Sequence, residues 1–314
     1  MNSPNQKTVI IIAGPTAVGK TSVAIQLAKH FNTEIISADS RQCFKELNVG
    51  VARPSSDELA SVPHYFIASH SIHDKVDAVV FEKYALEKLE TIFATNDVAI
   101  MVGGTGLYIK AFCEGMDEMP EIPEATRQQI IDSYNEKGIE WLQQQLKEKD
   151  PEFYAKREMK NPQRMMRALE IREATGKSIL ELRSGNKIKR NFKIIKIGLE
   201  LPKEELHKNI NTRVDKMMES GLVEEVKSLN SFRHLNALQT VGYAEIFDYL
   251  DGNTLPTGRQ ASLETATEKI KTNTRQYAKR QMTWFKKDSE MEWFRPSAVD
   301  TIIEFSKASL VVSR

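Results

Sequence analysis

The sequence predicts an α/β fold in which a parallel sheet carries helices on both faces and is interrupted by a helical insertion. Three observations predict it. Short β-branched runs alternate with helix-length stretches, which favours parallel strands joined by helical crossovers. A glycine-marked turn joins the first of these runs directly to the first helical stretch. Between Met116 and Gly185 strand signals disappear, and charged, glutamine-rich helical segments replace them.

Taken in order, Thr8–Ala13 is an unbroken apolar run of strand length, as a strand buried on both faces requires. Gly19–Phe31 reads as the first helix, with Val23, Leu27 and Ala28 on one face. Glu34–Ala38 is the second strand. Phe81–Phe93 is a helix leading into a third strand, Val98–Val102. An acidic, proline-marked segment around Asp117, Pro120 and Pro123 opens the insertion. Helices follow over Ala125–Asn135, Ile139–Lys149 and Pro162–Thr175. Ile194–Leu199 returns to the sheet, and helices run from about Lys203 to Lys287. The expected division is therefore a core of residues 1–115 and 191–314, with residues 116–190 inserted.

Composition narrows the class. With 40% hydrophobic and 28% charged residues over 314 positions, the chain can bury a core without covalent staples. Cys43 and Cys113 are the only cysteines, which gives neither a disulfide framework nor a zinc site and suits a reducing compartment. No basic-plus-apolar leader opens the sequence, and no apolar run approaches the ~18 residues of a membrane span. A cytoplasmic monomer without a membrane partner is the expectation. The net charge of +1 does not announce a nucleic-acid partner, so one must be sought in local charge.

The strongest chemical signal is Gly14-Pro15-Thr16-Ala17-Val18-Gly19-Lys20-Thr21, which fits GxxxxGK[ST] between a strand and a helix. Such a turn points successive backbone N–H groups at phosphate oxygens, and the helix N-terminus adds partial positive charge. Lys20 supplies a mobile cation, and the Thr21 hydroxyl can hold Mg²⁺. The fold is thus P-loop NTPase-like, and the ligand is a diphosphate or a triphosphate. An ATPase of this kind carries an acidic residue at the end of a later strand. Here Val98–Val102 runs instead into Gly103-Gly104-Thr105-Gly106, without a carboxylate at its tip. The second strand does deliver one, Asp39, within Ile36-Ser37-Ala38-Asp39-Ser40-Arg41-Gln42. At the C-terminal edge of a parallel strand it could accept a proton or hold a metal through water. It could equally cap a helix or turn.

GPTAVGKT, ISADSRQ and VGGTGLYIKA, in this order and at these spacings, resemble the tRNA dimethylallyltransferases, also called tRNA isopentenyltransferases. The resemblance extends through NPQRMMRALE (Asn161–Glu170) and ATGKS (Ala174–Ser178). It continues through RVD from Arg213, GLVEEV from Gly221, QTVGY from Gln239 and TRQYAKRQMTWF from Thr274. The chain departs from the pattern at Pro162 and across residues 66–77. The resemblance implies that the loop Gly14–Thr21 holds dimethylallyl diphosphate rather than ATP, with Mg²⁺ near Thr21. It implies that Asp39 takes a proton from adenine N6, that Thr105 lies near the target base, and that Arg213 neutralises the leaving diphosphate. The partner implied is a tRNA anticodon stem–loop, touched by Asp39, Ser40, Arg41, Gln42, Thr105, Arg127, Gln163, Arg164, Met165, Met166 and Arg167. By pattern alone, Arg164 and Arg167 read as a solvated helix face paired to Glu170 or Glu173; only the resemblance assigns them to RNA.

Lys269 to Lys287 contains seven basic residues and no acidic one. Arg275 and Lys279 are four apart on one helical face, with Arg280 beside them, and Tyr277, Trp284 and Phe285 are interleaved. The expectation is cations outward toward RNA phosphates and aromatics inward. A prenyltransferase acting on free adenine nucleotides is the alternative, as is a nucleotide-kinase-like phosphotransferase. Neither needs the insertion or the basic helix, and a non-enzymatic RNA-binding module would leave the phosphate loop unexplained.

Overall fold

The computed structural model describes residues 6–117, 119–156, 159–183, 185–252 and 262–311. It divides into two compact units, Met1–Glu114 with Lys189–Arg314, and Gly115–Ile188.

The first unit is built on six strands: β1 (Thr8–Ala13), β2 (Ile35–Ala38), β3 (His64–Tyr65), β4 (Val98–Gly103), β5 (Lys193–Leu199) and β6 (Met291–Phe294). They form one sheet in the order β3-β2-β4-β1-β5-β6, with every pairing parallel. The helices of this unit are α1 (Lys20–His30), α2 (Ser56–Ser61), α3 (Ala78–Phe93) and α4 (Gly106–Glu114). After the second unit come α9 (Lys203–Glu219), α10 (Leu222–Ser228), α11 (Tyr243–Leu250), α12 (Leu263–Phe285) and α13 (Val299–Val311). The second unit holds α5 (Glu124–Lys149), α6 (Pro151–Lys156), α7 (Pro162–Thr175) and α8 (Ile179–Leu182).

Both faces of the sheet are covered, so β1 and β4 are buried along their whole length and, Thr8 apart, carry no polar side chain rather than alternating. Ile10, Ile12, Ile100, Val102, Ile195 and Ile197 pack with Val23, Leu27 and Ile302 of α1 and α13. Val9, Ile11 and Met101 point the other way by the two-residue alternation of a strand and are fully buried. Phe66, Phe81 and Tyr108 form a ring cluster, with Phe66 and Phe81 edge to face at 5.0 Å.

Four strands were legible in the sequence; β3 and β6 were not. β3 is two residues long, and β6 falls in a segment read as lying beyond the helices. α3 starts one turn before the expected Phe81, because Asp77 Oδ1 accepts the N–H groups of Val79 and Val80 and caps it there. The two helices expected over Ala125–Lys149 run together as α5, broken at Gly138, whose φ of 76° only glycine adopts freely.

In the second unit, Ile130, Leu142, Leu146, Phe153, Leu169 and Ile171 form a core of their own. α7 begins at Pro162, a residue preorganised for a first helical position, behind an Asn161 cap that accepts the Arg164 N–H. Met165 and Met166 are 0% and 7% exposed in this core, which corrects their expected contact with RNA. Gln163 and Arg164 are exposed. Arg167 and Arg127 both pair with the buried Glu170, at 3.2 and 3.5 Å, so the salt-bridge reading of this face is realised for Arg167. Among the described residues, no helix is long and apolar enough to cross a membrane.

Glu170 is the carboxylate that closes this small core, and its removal leaves two half-buried guanidiniums without their acceptor. Glu170→Ala is expected to lower stability by about 2 kcal/mol in urea unfolding. A loss below about 0.5 kcal/mol would mean that both arginines find water at no cost.

Candidate active site

β1, β4 and β2 lie side by side, and each ends in a functional turn. β1 leads through α1 to β2 on the far side of β4, whereas the chain after β4 re-enters the sheet at β5 on the other side of β1. This reversal opens a crevice at the carboxyl ends of β1 and β4. A cavity of about 1120 Å³ occupies it, lined among others by Lys20, Thr21, Asp39, Arg213, Tyr277 and Gln281.

The phosphate loop turns through left-handed backbone at Ala17 (φ 63°) and Gly19 (φ 98°) and enters α1 with no side-chain cap. Among the described residues, the N–H groups from Ala17 to Ser22 have no acceptor within the protein. Six donors at a helix N-terminus, none satisfied internally, are a ready site for an anion. The Thr16 N–H, expected among these donors, is instead taken by Gln281 Oε1 at 2.8 Å. Val18 supplies its side chain to the core. The Thr21 hydroxyl lines the cavity and has no hydrogen-bond partner among the described residues.

Two half-buried cations lie at this loop. Lys20 Nζ donates to the Pro15 carbonyl at 2.7 Å. Desolvation pulls its ammonium down to about 7; the neighbouring Arg213 adds to this, and Asp39 opposes it. Arg213, on α9, is likewise pulled down by burial and held up by Asp39 and Tyr277, and among the described residues its one hydrogen bond is a long 3.4 Å contact to the Val51 carbonyl. Two desolvated, mutually repelling cations are an anion site by construction.

Asp39 follows β2 directly. Its Oδ1 accepts the Arg41 and Gln42 N–H groups at 2.9 and 3.2 Å, so it does cap the turn it heads. Oδ2 has no protein partner among the described residues, and the residue lines the cavity. The capping role and the chemical role thus fall to different oxygens of one carboxylate. Thr105 Oγ1 accepts the Ser40 N–H at 3.0 Å and donates to Ser40 Oγ at 3.3 Å, which fixes the turn after Asp39 against the end of β4. Gln42 Nε2 reaches the Val51 and Ala52 carbonyls, and Arg41 donates to the Asn236 carbonyl.

Two residues without an assigned role in the sequence organise the site. Glu225 accepts the N–H groups of Asn48, Val49 and Gly50 and the Tyr243 hydroxyl, pinning the loop whose Val51 carbonyl meets Arg213. Gln281 bridges Thr16 and the Gly104 carbonyl while 7% exposed. A glutamine among Ile270, Ala278 and Phe285 on the buried stripe of α12 is the signal that could have found it, since a buried amide must have partners.

The basic helix departs from expectation. Tyr277 and Trp284 are 37% and 39% exposed rather than inward; Phe285 alone of the three is core. Lys269 pairs with Asp248, Lys271 with Asp215 and Glu268, and Lys286 with Glu200. Arg275 donates to Asn211 and Thr272. Lys279, Arg280 and Lys287 are exposed and have no ion-pair partner among the described residues, and Arg280 lies over the Tyr277 ring. Cys43 and Cys113 have thiols pushed up to about 12 by burial, which makes neither a nucleophile.

Residues 42–288 match the IPP transferase family. The chain is 45% identical over 304 residues to the tRNA dimethylallyltransferase of Cytophaga hutchinsonii, covering 97% of this chain and 98% of that one. It is 49% identical over 286 residues to the tRNA dimethylallyltransferase of Christiangramia forsetii, covering 91% and 92%. The solved tRNA isopentenylpyrophosphate transferase of Bacillus halodurans superposes with a TM-score of 0.70 at 32% identity over 97% of each chain. A eukaryotic dimethylallyltransferase, solved acting on tRNA, superposes with a TM-score of 0.73 at 27% identity, over 98% of this chain and 78% of that one.

The depressed ammonium of Lys20 makes anion binding proton-linked. Above about pH 7 the lysine is largely neutral, and a polyanion beside it restores the proton; below that pH it is already charged. Calorimetry of metal-free inorganic diphosphate at pH 8, in buffers of different ionisation enthalpy, is expected to show proton uptake that is absent from Lys20→Arg. Equal proton counts for the two proteins would place the titration elsewhere.

Proposed function

The chain belongs to the IPP transferase family, and on that premise we propose that it transfers a dimethylallyl group from dimethylallyl diphosphate to N6 of the adenosine 3′-adjacent to the anticodon in tRNA. The observation that carries this reading is that Asp39, whose Oδ2 has no partner among the described residues, lines the same cavity as the phosphate loop and the two half-buried cations. A carboxylate beside an anion grip fits proton removal from an amine as diphosphate departs. A phosphotransferase would instead need an acidic residue on β4, which ends in glycines.

In the proposed reaction the allylic C–O bond breaks and its electron pair leaves with diphosphate. The N6 lone pair forms the new C–N bond, and the amine's proton passes to Asp39. The developing negative charge is met by the amides of Ala17 to Ser22, Lys20 and Arg213, donors that are in place before the bond breaks. Because the exocyclic amine is a weak nucleophile, positioning does much of the rest. Thr105 contributes by holding Ser40, and so the Asp39 turn, at a fixed distance from the loop.

Magnesium fits this site as a partner of the bound diphosphate. Among the described residues, no three His, Cys, Asp or Glu side chains are placed to hold a metal by themselves. The Thr21 hydroxyl would contribute one ligand, with diphosphate and water completing the shell. When bound, the ion would offset charge on the departing diphosphate.

The exposed cations Lys279 and Arg280 of α12 and Lys287 just after it support RNA recognition, as do Gln163 and Arg164 of the inserted unit. A free nucleotide would need neither. The target base must leave the anticodon-loop stack, which costs a few kcal/mol and less in a loop than in a duplex.

Incubation with labelled dimethylallyl diphosphate, Mg²⁺ and either unmodified tRNA or AMP tests the reading. Label is expected in tRNA and not in AMP, and Asp39→Asn is expected to reduce kcat by 10²–10⁴. Transfer to AMP alone would refute the tRNA assignment, and full activity of Asp39→Asn would refute the base. For the RNA surface, Lys279→Ala is expected to weaken tRNA binding and to flatten its salt dependence by about one unit of slope. Lys269→Ala, which removes a cation already held by Asp248, is expected to do much less. Equal effects of the two would mean that α12 contributes only a diffuse field.

A further inference from the structure

The loop amides are not alike. From Ala17 to Ser22 they are free of protein acceptors, but the outermost, that of Thr16, is held by Gln281 Oε1. Gln281 is fixed from both ends. Its Nε2 donates to the Gly104 carbonyl at 2.9 Å, so carbonyl and amino group cannot exchange places without losing both bonds. Gly104 makes room for it, since a Cβ there would come within 2.3 Å of Nε2. The side chain is thus built in rather than lying by chance across an open loop.

Thr16 stands four residues before Lys20, at the end of the loop away from the helix start. Phosphates gripped at the helix N-terminus meet the amides of Ala17 to Ser22 first. A chain extended by one more phosphate would next look to Thr16. There it would find a satisfied N–H and, facing it, the Gln281 carbonyl oxygen, an acceptor that repels an anion. The same end lies beside Thr105 and, through the Thr105–Ser40 bond, the Asp39 turn. That is where an allylic carbon must lie for an amine to attack it, and a hydrocarbon asks for no donor.

We propose that Gln281 sets the number of phosphates the loop accepts, closing its outer donor so that two phosphates are gripped and a third is refused. The inference rests on the reading of the loop's ligand as an allylic diphosphate. It supplies what the phosphate-loop motif leaves open, a reason for this chain to take a diphosphate in the presence of nucleoside triphosphates. Arg280, the preceding residue on α12, is directed over the Tyr277 ring and does not replace the lost donor.

The test is binding of inorganic diphosphate and inorganic tripolyphosphate to the full chain without tRNA, by calorimetry at fixed pH and Mg²⁺. The wild-type protein is expected to prefer diphosphate. Gln281→Ala and the similarly sized Gln281→Met release the Thr16 N–H. Each is expected to improve tripolyphosphate relative to diphosphate by about tenfold, the worth of one hydrogen bond to a charged acceptor. Gln281→Glu also loses the bond to the Gly104 carbonyl, but it keeps an acceptor on Thr16 and adds a charge that repels a third phosphate, so it is expected to widen the preference. A thermal melt of all three variants selects those that fold, and the opposite signs expected for Gln281→Glu and Gln281→Met separate the proposal from a general loosening of the loop. A preference unchanged in these variants, or both ligands weakened in proportion, overturns the proposal and leaves Gln281 a structural brace. Because no prenyl transfer is measured, this result stands apart from the assay for tRNA modification. Failure of that assay with an intact diphosphate preference would refute the substrate assignment and not the role of Gln281.

Discussion

The site depends on one electrostatic constraint: Lys20 and Arg213, half-buried and lining one cavity, are close enough that the guanidinium lowers the proton affinity of the lysine. Such a pair is tolerable only if negative charge is nearby or arrives. Asp39 supplies part of it, because its field reaches both residues, but its Oδ1 is already engaged with backbone. The remainder is left for a ligand. Lys20 rides on the loop after β1, Asp39 follows β2, and Arg213 comes from α9, 170 residues further along the chain than Cys43. The parallel sheet brings the first two to one edge, and the packing of α9 against α12 brings the third.

A site that stores unbalanced charge needs rigid walls, and these are fastened by polar side chains with backbone partners. Glu225 takes three consecutive N–H groups of the loop over Asn48–Gly50. Burial of a carboxylate is costly without such partners, so the loop and the glutamate fix each other. Thr105 does the same between β4 and the Asp39 turn, and Gln281 between the phosphate loop and Gly104. The three fasteners touch the three turns that carry the chemistry. A shift of any one would move donors relative to the reacting atoms, and positioning is the resource such a reaction relies on.

Legibility follows from the range of the interactions involved. β1, β2, β4 and β5 were readable because burial on both faces demands apolar runs, a local property. β3 and β6 exist because a neighbouring strand offers them an edge, and His64–Tyr65 has no pattern of its own. The phosphate loop and Asp39 could be found because each is a short segment set against a strand end. Glu225 and Gln281 could not be assigned roles, since their partners lie more than 170 residues away and are backbone atoms, whose position no residue type records. Met165, Met166, Tyr277 and Trp284 were turned the wrong way for a related reason. A helix's periodicity gives the spacing of its faces, but which face is buried depends on what packs against it.

The same distinction between buried and exposed charge separates the two anionic substrates proposed for this site. The diphosphate meets desolvated cations and fixed amides, where screening by salt is weak and each contact is strong. The proposed RNA surface is α12, where Asp248, Asp215, Glu268 and Glu200 already neutralise three of the lysines that looked free in the sequence. What remains is a sparse set of exposed charges acting through water, over a screening length of about 8 Å at physiological ionic strength. A field so thin cannot hold a tRNA by charge alone. On the proposed reading, recognition would then rest on shape and on unstacked bases, which a single-stranded loop can present to exposed rings such as Tyr277 and Trp284 and a duplex cannot. The net charge of +1 is then a consequence of the design and not an argument against an RNA substrate: strong cations are placed where the diphosphate is gripped, and the RNA-facing surface is left nearly balanced.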